Sequence, residues 1–100
     1  MDKVFKALAN ETRRQLLDRL FQTPGLTLAE LTTGLVLRRQ TITQHLDTLE
    51  QANLLVCHWR GREKLHYLNP TPIAEASHRW IDKFSHISIR RAAEDNDRDP

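Results

Sequence analysis

At 100 residues, with 39% hydrophobic and 28% charged, the chain has the size and composition of one folded domain, not of a disordered segment. No apolar run approaches the roughly 18 residues of a membrane span, the start Met1-Asp2-Lys3-Val4-Phe5-Lys6 lacks a secretory hydrophobic block, and a single cysteine, Cys57, forms no internal disulfide, so a cytoplasmic protein is expected. The formal charge of +2 is split: residues 94–100, with four acids against one arginine, carry −3 and the rest +5, a modestly basic body that suits a polyanion without demanding one.

The first predicted helix runs from about Lys3 to Ala9, with Val4, Phe5 and Leu8 at helical spacing. Asn10 fits an N-cap for a second helix, Glu11 suits its first turn, and Leu16, Leu17, Leu20 and Phe21 form its expected buried stripe. Pro24-Gly25 marks a turn. The third helix has the clearest start: Thr27 and Glu30 have capping-box spacing, and Leu26 and Leu31 sit where a hydrophobic staple would hold the entry angle. Gly34 stops it.

A fourth helix is predicted from near Arg38 to about Ala52. Ile42, Leu46 and Leu49 share its inward face, and Arg39, Gln40, Thr43, Gln44 and Asp47 fall largely on the other. Asn53 closes it in a left-handed cap. Two strands, roughly Leu54 to Trp59 and Lys64 to Leu68, flank the loop Arg60-Gly61-Arg62-Glu63. Thr71-Pro72 reads as an N-cap and first helical position. Along the last helix Ile73, Ala76, Trp80, Phe84 and Ile87 recur at steps of three and four, and the end falls between Ser85 and Ala93. The expected architecture is mainly α with a small β-hairpin: a winged helix-turn-helix of about five helices and a two-stranded wing. Residues 1–90 form the domain, and residues 91–100 an acidic, disordered tail.

The outward face of the fourth helix is Arg, Gln, Thr and Gln, the side-chain types that read base edges and phosphates. A plain solvated face has the same look, but this one follows a glycine turn from a short helix, as a recognition helix does. Arg60, Arg62 and Lys64 concentrate at the hairpin. Such a hairpin alone is an ordinary soluble edge; beside that helix it becomes a candidate wing on duplex DNA.

The segments "LANETRRQLLDRL", "LTLAELTTGL", "TITQHLDTLEQANLL" and "GREKLHYLNP" resemble the ArsR-type (arsenic-repressor-like) winged-helix transcription repressors over about residues 2–84. Thr43-Gln44-His45-Leu46, followed by Leu49 and Ala52, carries the resemblance most specifically. Asn53 stands where the family has glycine, and both accept a left-handed backbone. The resemblance implies a homodimer that binds double-stranded DNA at an inverted-repeat operator and blocks transcription. It implies a contact set of Arg39, Gln40, Thr41, Thr43, Gln44 and His45, with Arg60, Arg62 and Lys64 on the wing; Arg38, at the start of the same helix, is a further candidate contact. It also implies a dimer interface on the first and last helices, drawn from Val4, Phe5, Leu8, Ile73, Ala76, Trp80, Phe84 and Ile87. An effector, metal or small molecule, is not indicated.

Two departures matter. Leu37-Arg38-Arg39 occupies the start of the fourth helix where the family has a capping residue, so capping is either weak or supplied by Thr41 in a shorter helix. The family's metal-sensing Cys-x-Cys is replaced by Glu30-Leu31-Thr32-Thr33-Gly34, so the chain is like members without that site and no cofactor is expected. His78, Asp82 and His86 recur every four residues on the last helix and would be the ligands of a metal-responsive repressor; a solvent face explains them as well. His58 and His66 are expected across the hairpin from each other, next to Cys57, as ordinary strand residues. The remaining alternatives are a winged helix used for protein interaction, which would want a more apolar fourth helix, and an enzyme. For an enzyme no phosphate loop, nucleophile elbow or paired carboxylates are present.

Overall fold

A computed structural model of the chain describes residues 1–85 and 87. Helices α1 (Asp2–Leu8) and α2 (Glu11–Gln22) meet at Asn10, whose side chain accepts the Arg13 amide at 3.0 Å and caps α2. Helix α3 (Leu28–Thr32) opens on the full capping box: Thr27 Oγ1 accepts from the Glu30 amide at 3.2 Å and Glu30 accepts from the Thr27 amide at 3.1 Å. The Thr27 amide and then its hydroxyl, which donates to Glu30 Oε1 at 2.9 Å, hold the Glu30 carboxyl below its ordinary pKa. Gly34, at φ +80°, lies just past the end of α3, and Asn53, at φ +59°, follows α4 (Arg39–Gln51).

Strands β1 (Leu55–Arg60) and β2 (Glu63–Leu68) pair antiparallel from Leu55↔Leu68 to Arg60↔Glu63. The predicted four-residue loop is therefore a two-residue turn, Gly61-Arg62, with Arg60 and Glu63 already paired. Gly61 supplies the positive φ that such tight turns need. Leu26 bridges to His66, so the segment before α3 is stitched to the hairpin. The register also corrects the expected histidine pair: His66 faces Cys57, and His58 faces Leu65.

Helix α5 (Thr71–Ala76) continues through a π-helical turn (Ser77–Ile81) into α6 (Asp82–Ser85). Pro70, not Thr71, holds the N-cap position, and the amide of Thr71 donates to Asn69 Oδ1 at 3.3 Å. Asn69 also donates to the Asn53 carbonyl, at 2.9 Å, so one short side chain ties the end of the hairpin to the end of α4. The wide turn changes the phase of the apolar stripe. Ile73 and Ala76 pack on the protomer's core, whereas Trp80, Phe84 and Ile87 stay about half exposed.

The core lies where α1, α2, α3, α4 and the hairpin meet. Leu16, Leu20, Leu31, Ile42, Leu49 and Leu54 are its largest fully buried side chains. Removing one of these to alanine typically costs about 2–5 kcal/mol. Phe21 is not among them; it is 76% exposed. It stands in the last turn of α2, past the layer that covers Leu17, and borders an open apolar depression with Leu8, Leu68 and Ile73.

The arginines of α2 serve the fold. Arg13 and Arg14 donate to the carbonyls of Ala7, Lys6 and Leu8 at the end of α1. Arg19 donates to Leu31 and Thr33 at the end of α3, at 2.8 and 2.6 Å. Each places a cation on the unsatisfied carbonyls of a helix C-terminus.

Candidate nucleic-acid interface

Helix α4 rests on the core through Ile42, Leu46 and Leu49 and presents Arg38, Arg39, Gln40 and Gln44 to solvent. Thr41, Thr43 and His45 lie on its flanks, half-buried. The Thr43 hydroxyl donates back to the Arg39 carbonyl at 3.0 Å, which leaves its oxygen lone pairs for an external donor. No side chain caps the start of α4; Arg38 holds the N-cap position and the helix is not shortened toward Thr41. The first amides of a 13-residue helix therefore face outward beside two arginines, a locally electropositive end. His45 is drawn away from the exposed row. Burial, and then the charge of Arg13 on α2, lower its pKa, so near neutrality it carries no charge for a phosphate.

The hairpin stands beside α4 and encloses with it a cleft of about 360 Å³. Arg39, Thr43, Asp47 and Glu50 line the helix side; Trp59, Arg62 and Lys64 line the hairpin side. Lys64 Nζ lies 3.0 Å from Glu50 Oε2, a partly shielded ion pair that fastens the wing to the helix and raises the lysine's pKa, chiefly through the hydrogen bond. Lys64, expected as a wing contact, is tied to Glu50 of α4 and still lines the cleft. Arg60 pairs with Glu63 across the end of the ladder at 3.5 Å, an exposed contact of little energetic weight. Arg62, at the tip, forms no ion pair among the described residues.

Two members of this site escape a reading of the sequence. Glu50 becomes a partner of Lys64 only when β2 folds back over α4, 14 residues on. Trp59 sits in the alternating strand pattern, but its 68% exposure depends on the core ending before the hairpin does.

His66, only 4% exposed, is a structural residue: its ring Nδ1–H donates to the Leu26 carbonyl at 2.9 Å. The Cys57 thiol is half-buried, and burial followed by the nearby Glu50 raises its pKa, which keeps it protonated. Among the described residues no three His, Cys, Asp or Glu side chains converge as a metal site. His86 and residues 91–100 lie outside the described residues. His78 lies within the π-helical turn, and the Asp82 carboxylate after it accepts from Ser77 Oγ at 2.7 Å.

The residues expected at a dimer interface divide into two groups. Val4 and Ala76 are buried inside the protomer and unavailable to a partner, and Leu8 and Ile73 pack against the same core. Phe5 bridges outward: its ring meets Trp80 edge-on at 5.9 Å, and Trp80 meets Phe84 at 5.0 Å. Lys83 lies over both outer rings. With the half-exposed Ile81 and Ile87, these rings make an apolar patch on the far side of the protomer's last helical segment.

The helix-turn-helix domain family matches residues 8–58. The uncharacterized HTH-type transcriptional regulator YuzN of Bacillus subtilis is 37% identical over 87 residues, covering 81% of this chain and 95% of its own. The HTH-type transcriptional regulator Rv2034 of Mycobacterium tuberculosis is 35% identical, covering 83% and 76%. The transcriptional repressor SdpR of Bacillus subtilis is 31% identical, covering 84% and 91%. Among solved structures, an ArsR-like transcriptional regulator from Rhodococcus sp. RHA1 superposes with a TM-score of 0.78 at 26% identity, covering 95% of this chain and 86% of that one. A possible transcriptional regulator for arsenical resistance superposes at 0.75 and 27%, covering 95% and 96%. With its exposed polar helix, its basic hairpin and these likenesses, the chain belongs to the ArsR-type winged helix-turn-helix transcriptional regulators, which are DNA-binding proteins and not enzymes.

Proposed function

We propose that the protein is a cytoplasmic homodimeric repressor that binds an inverted-repeat operator. In this reading residues 1–90 serve both DNA binding and dimerisation. Helix α4 enters the major groove with Arg39, Gln40, Thr43 and Gln44 toward base edges, and Arg38 and Thr41 at its start meet phosphates. Arg62, with Arg60 beside it, reaches the adjoining backbone. Phe5, Trp80, Ile81, Phe84 and Ile87 pair with their counterparts on a second copy. One observation carries the reading: Arg39 and Thr43 of α4 and Arg62 at the hairpin tip, which forms no ion pair among the described residues, line one cleft that the Lys64–Glu50 pair also borders. Repression is favoured over activation by the kinship with SdpR.

Selection of bound sequences from random duplexes, with sedimentation of the complex, tests this. The expected product is a palindromic site carrying two protomers, with half-site centres about one helical turn, ~34 Å, apart. Selection with added zinc and with chelator is expected to give the same site. Absence of any enriched sequence, or a single half-site held by one protomer, overturns the proposal.

A further inference from the structure

Trp59 is the more exposed of the chain's two tryptophans, 68% against 48% for Trp80. Trp80 is flanked by Phe5 and Phe84 and by the Lys83 ammonium. Trp59 has no aromatic or cationic partner of this kind among the described residues. Strand alternation explains where it points. Leu55, Cys57 and Trp59 share the face of β1 turned toward α4; the first is buried, the second half-buried, and the third runs past the end of the core. Its indole then lines the helix–wing cleft, opposite Lys64 in the ladder. Trp59 thus offers a large apolar surface to the cleft from a fixed strand position.

The charges around it say what kind of contact. In the lining Glu50 pairs with Lys64, and Glu63 makes the exposed contact with Arg60. Arg39 on the helix wall and Arg62 on the hairpin wall form no ion pair among the described residues. Asp47, the remaining acid, sits close enough to Lys64 to raise its pKa. Arg39, Arg62 and the Trp59 indole line this one cleft, so a polyanionic strand held by both arginines shares it with the indole.

We infer that Trp59 packs against the deoxyribose of the DNA strand running between the recognition helix and the hairpin tip. The sugar is the apolar part of that backbone, and every nucleotide presents one. The contact is therefore sequence-independent and releases no counterion. It adds a fixed, dry anchor between two flexible cations. This inference rests on the DNA-binding reading above.

Two tryptophans make the test direct. Acrylamide quenching is compared in wild type and Trp59→Phe, free and bound to a mixed-sequence duplex three helical turns long at low salt, with binding followed separately by anisotropy. The expected result is strong protection of wild-type emission on binding and none in Trp59→Phe, which reports Trp80 alone. Trp59→Ala should bind roughly tenfold more weakly, equally on selected and random duplexes, with an unchanged salt slope. Trp59→Phe should recover part of that loss. A wild-type complex in which Trp59 remains as accessible as in the free protein overturns the inference and leaves the DNA-binding reading intact. Failure to bind any duplex overturns both.

Discussion

The helix–wing region and the last helical segment differ in how complete each is within one chain. Around α4 every buried polar side-chain atom has a partner, and the wing is fixed by a backbone ladder, the Leu26–His66 bridge and the Lys64–Glu50 pair. What remains outward is polar and cationic, which water tolerates until DNA arrives. The last segment is the reverse. Beyond Ala76 its large side chains are apolar and half-exposed, and no residue between 77 and 85 is buried. The first region is thus a preformed surface; the second is a half-built core whose other half, in the proposed reading, is a second copy.

The sharpest way to break this contrast is Trp80→Ala. Its ring joins Phe5 to Phe84, and a two-fold interface loses it twice, at ~1.5–3 kcal/mol per large side chain buried. Sedimentation equilibrium is expected to show the dimer dissociation constant raised 100-fold or more, about twice that increment. Operator affinity should fall with it, because paired half-sites gain about 10²–10⁴ from linkage. A variant that stays dimeric and binds normally would show that the exposed rings are surface decoration.

Substitutions in the helix–wing region should leave the oligomer untouched and act on DNA alone. Gln44→Ala removes an exposed amide that the proposed reading sets against base edges, and is expected to cost about 1–3 kcal/mol on the selected site and little on random duplex. Equal losses on both would remove Gln44 from readout. Arg62→Ala should act the other way, weakening both duplexes alike and lowering the magnitude of the salt slope by about 0.9, one phosphate's share. An unchanged slope would place the hairpin tip off the backbone.

How much of this was legible in the sequence follows the same division. The capping box at Thr27 and Glu30, the cap at Asn10 and the left-handed closure at Asn53 are local devices, decided by neighbours within a turn, and the structure reproduces them. The inward row of α4 followed from helical period for the same reason. Period failed where geometry changed. The π-helical turn splits Ile73 and Ala76 from Trp80 and Phe84, although the spacing made them one stripe. Phe21 had the right phase but nothing above it. The Lys64–Glu50 pair, the arginines of α2 on neighbouring carbonyls and the setting of Trp59 all depend on which elements meet, and no local pattern encodes that.

The smallest expected effect concerns His45, which is half-buried on α4 and lies near Arg13 of α2. Its pKa in the folded protein lies below the ordinary 6.5, because burial and then Arg13 disfavour the charged ring. Above 6.5 the ring is neutral in both folded and unfolded chains, and its full contribution to stability is present. As pH falls below 6.5, the unfolded chain takes up the proton first, so the folded state loses ground until its own lower pKa is passed. Wild type should therefore lose more thermal stability on acidification through this range than His45→Gln, which cannot titrate, measured by thermal melts of both proteins across the window. The comparison cancels the other histidines, which the two proteins share. Parallel losses would mean that His45 is as solvated as its neighbours on the exposed row. In that case it would rejoin Gln44 as a group free to meet DNA, and the boundary drawn between the structural and the reading faces of α4 would move by one residue.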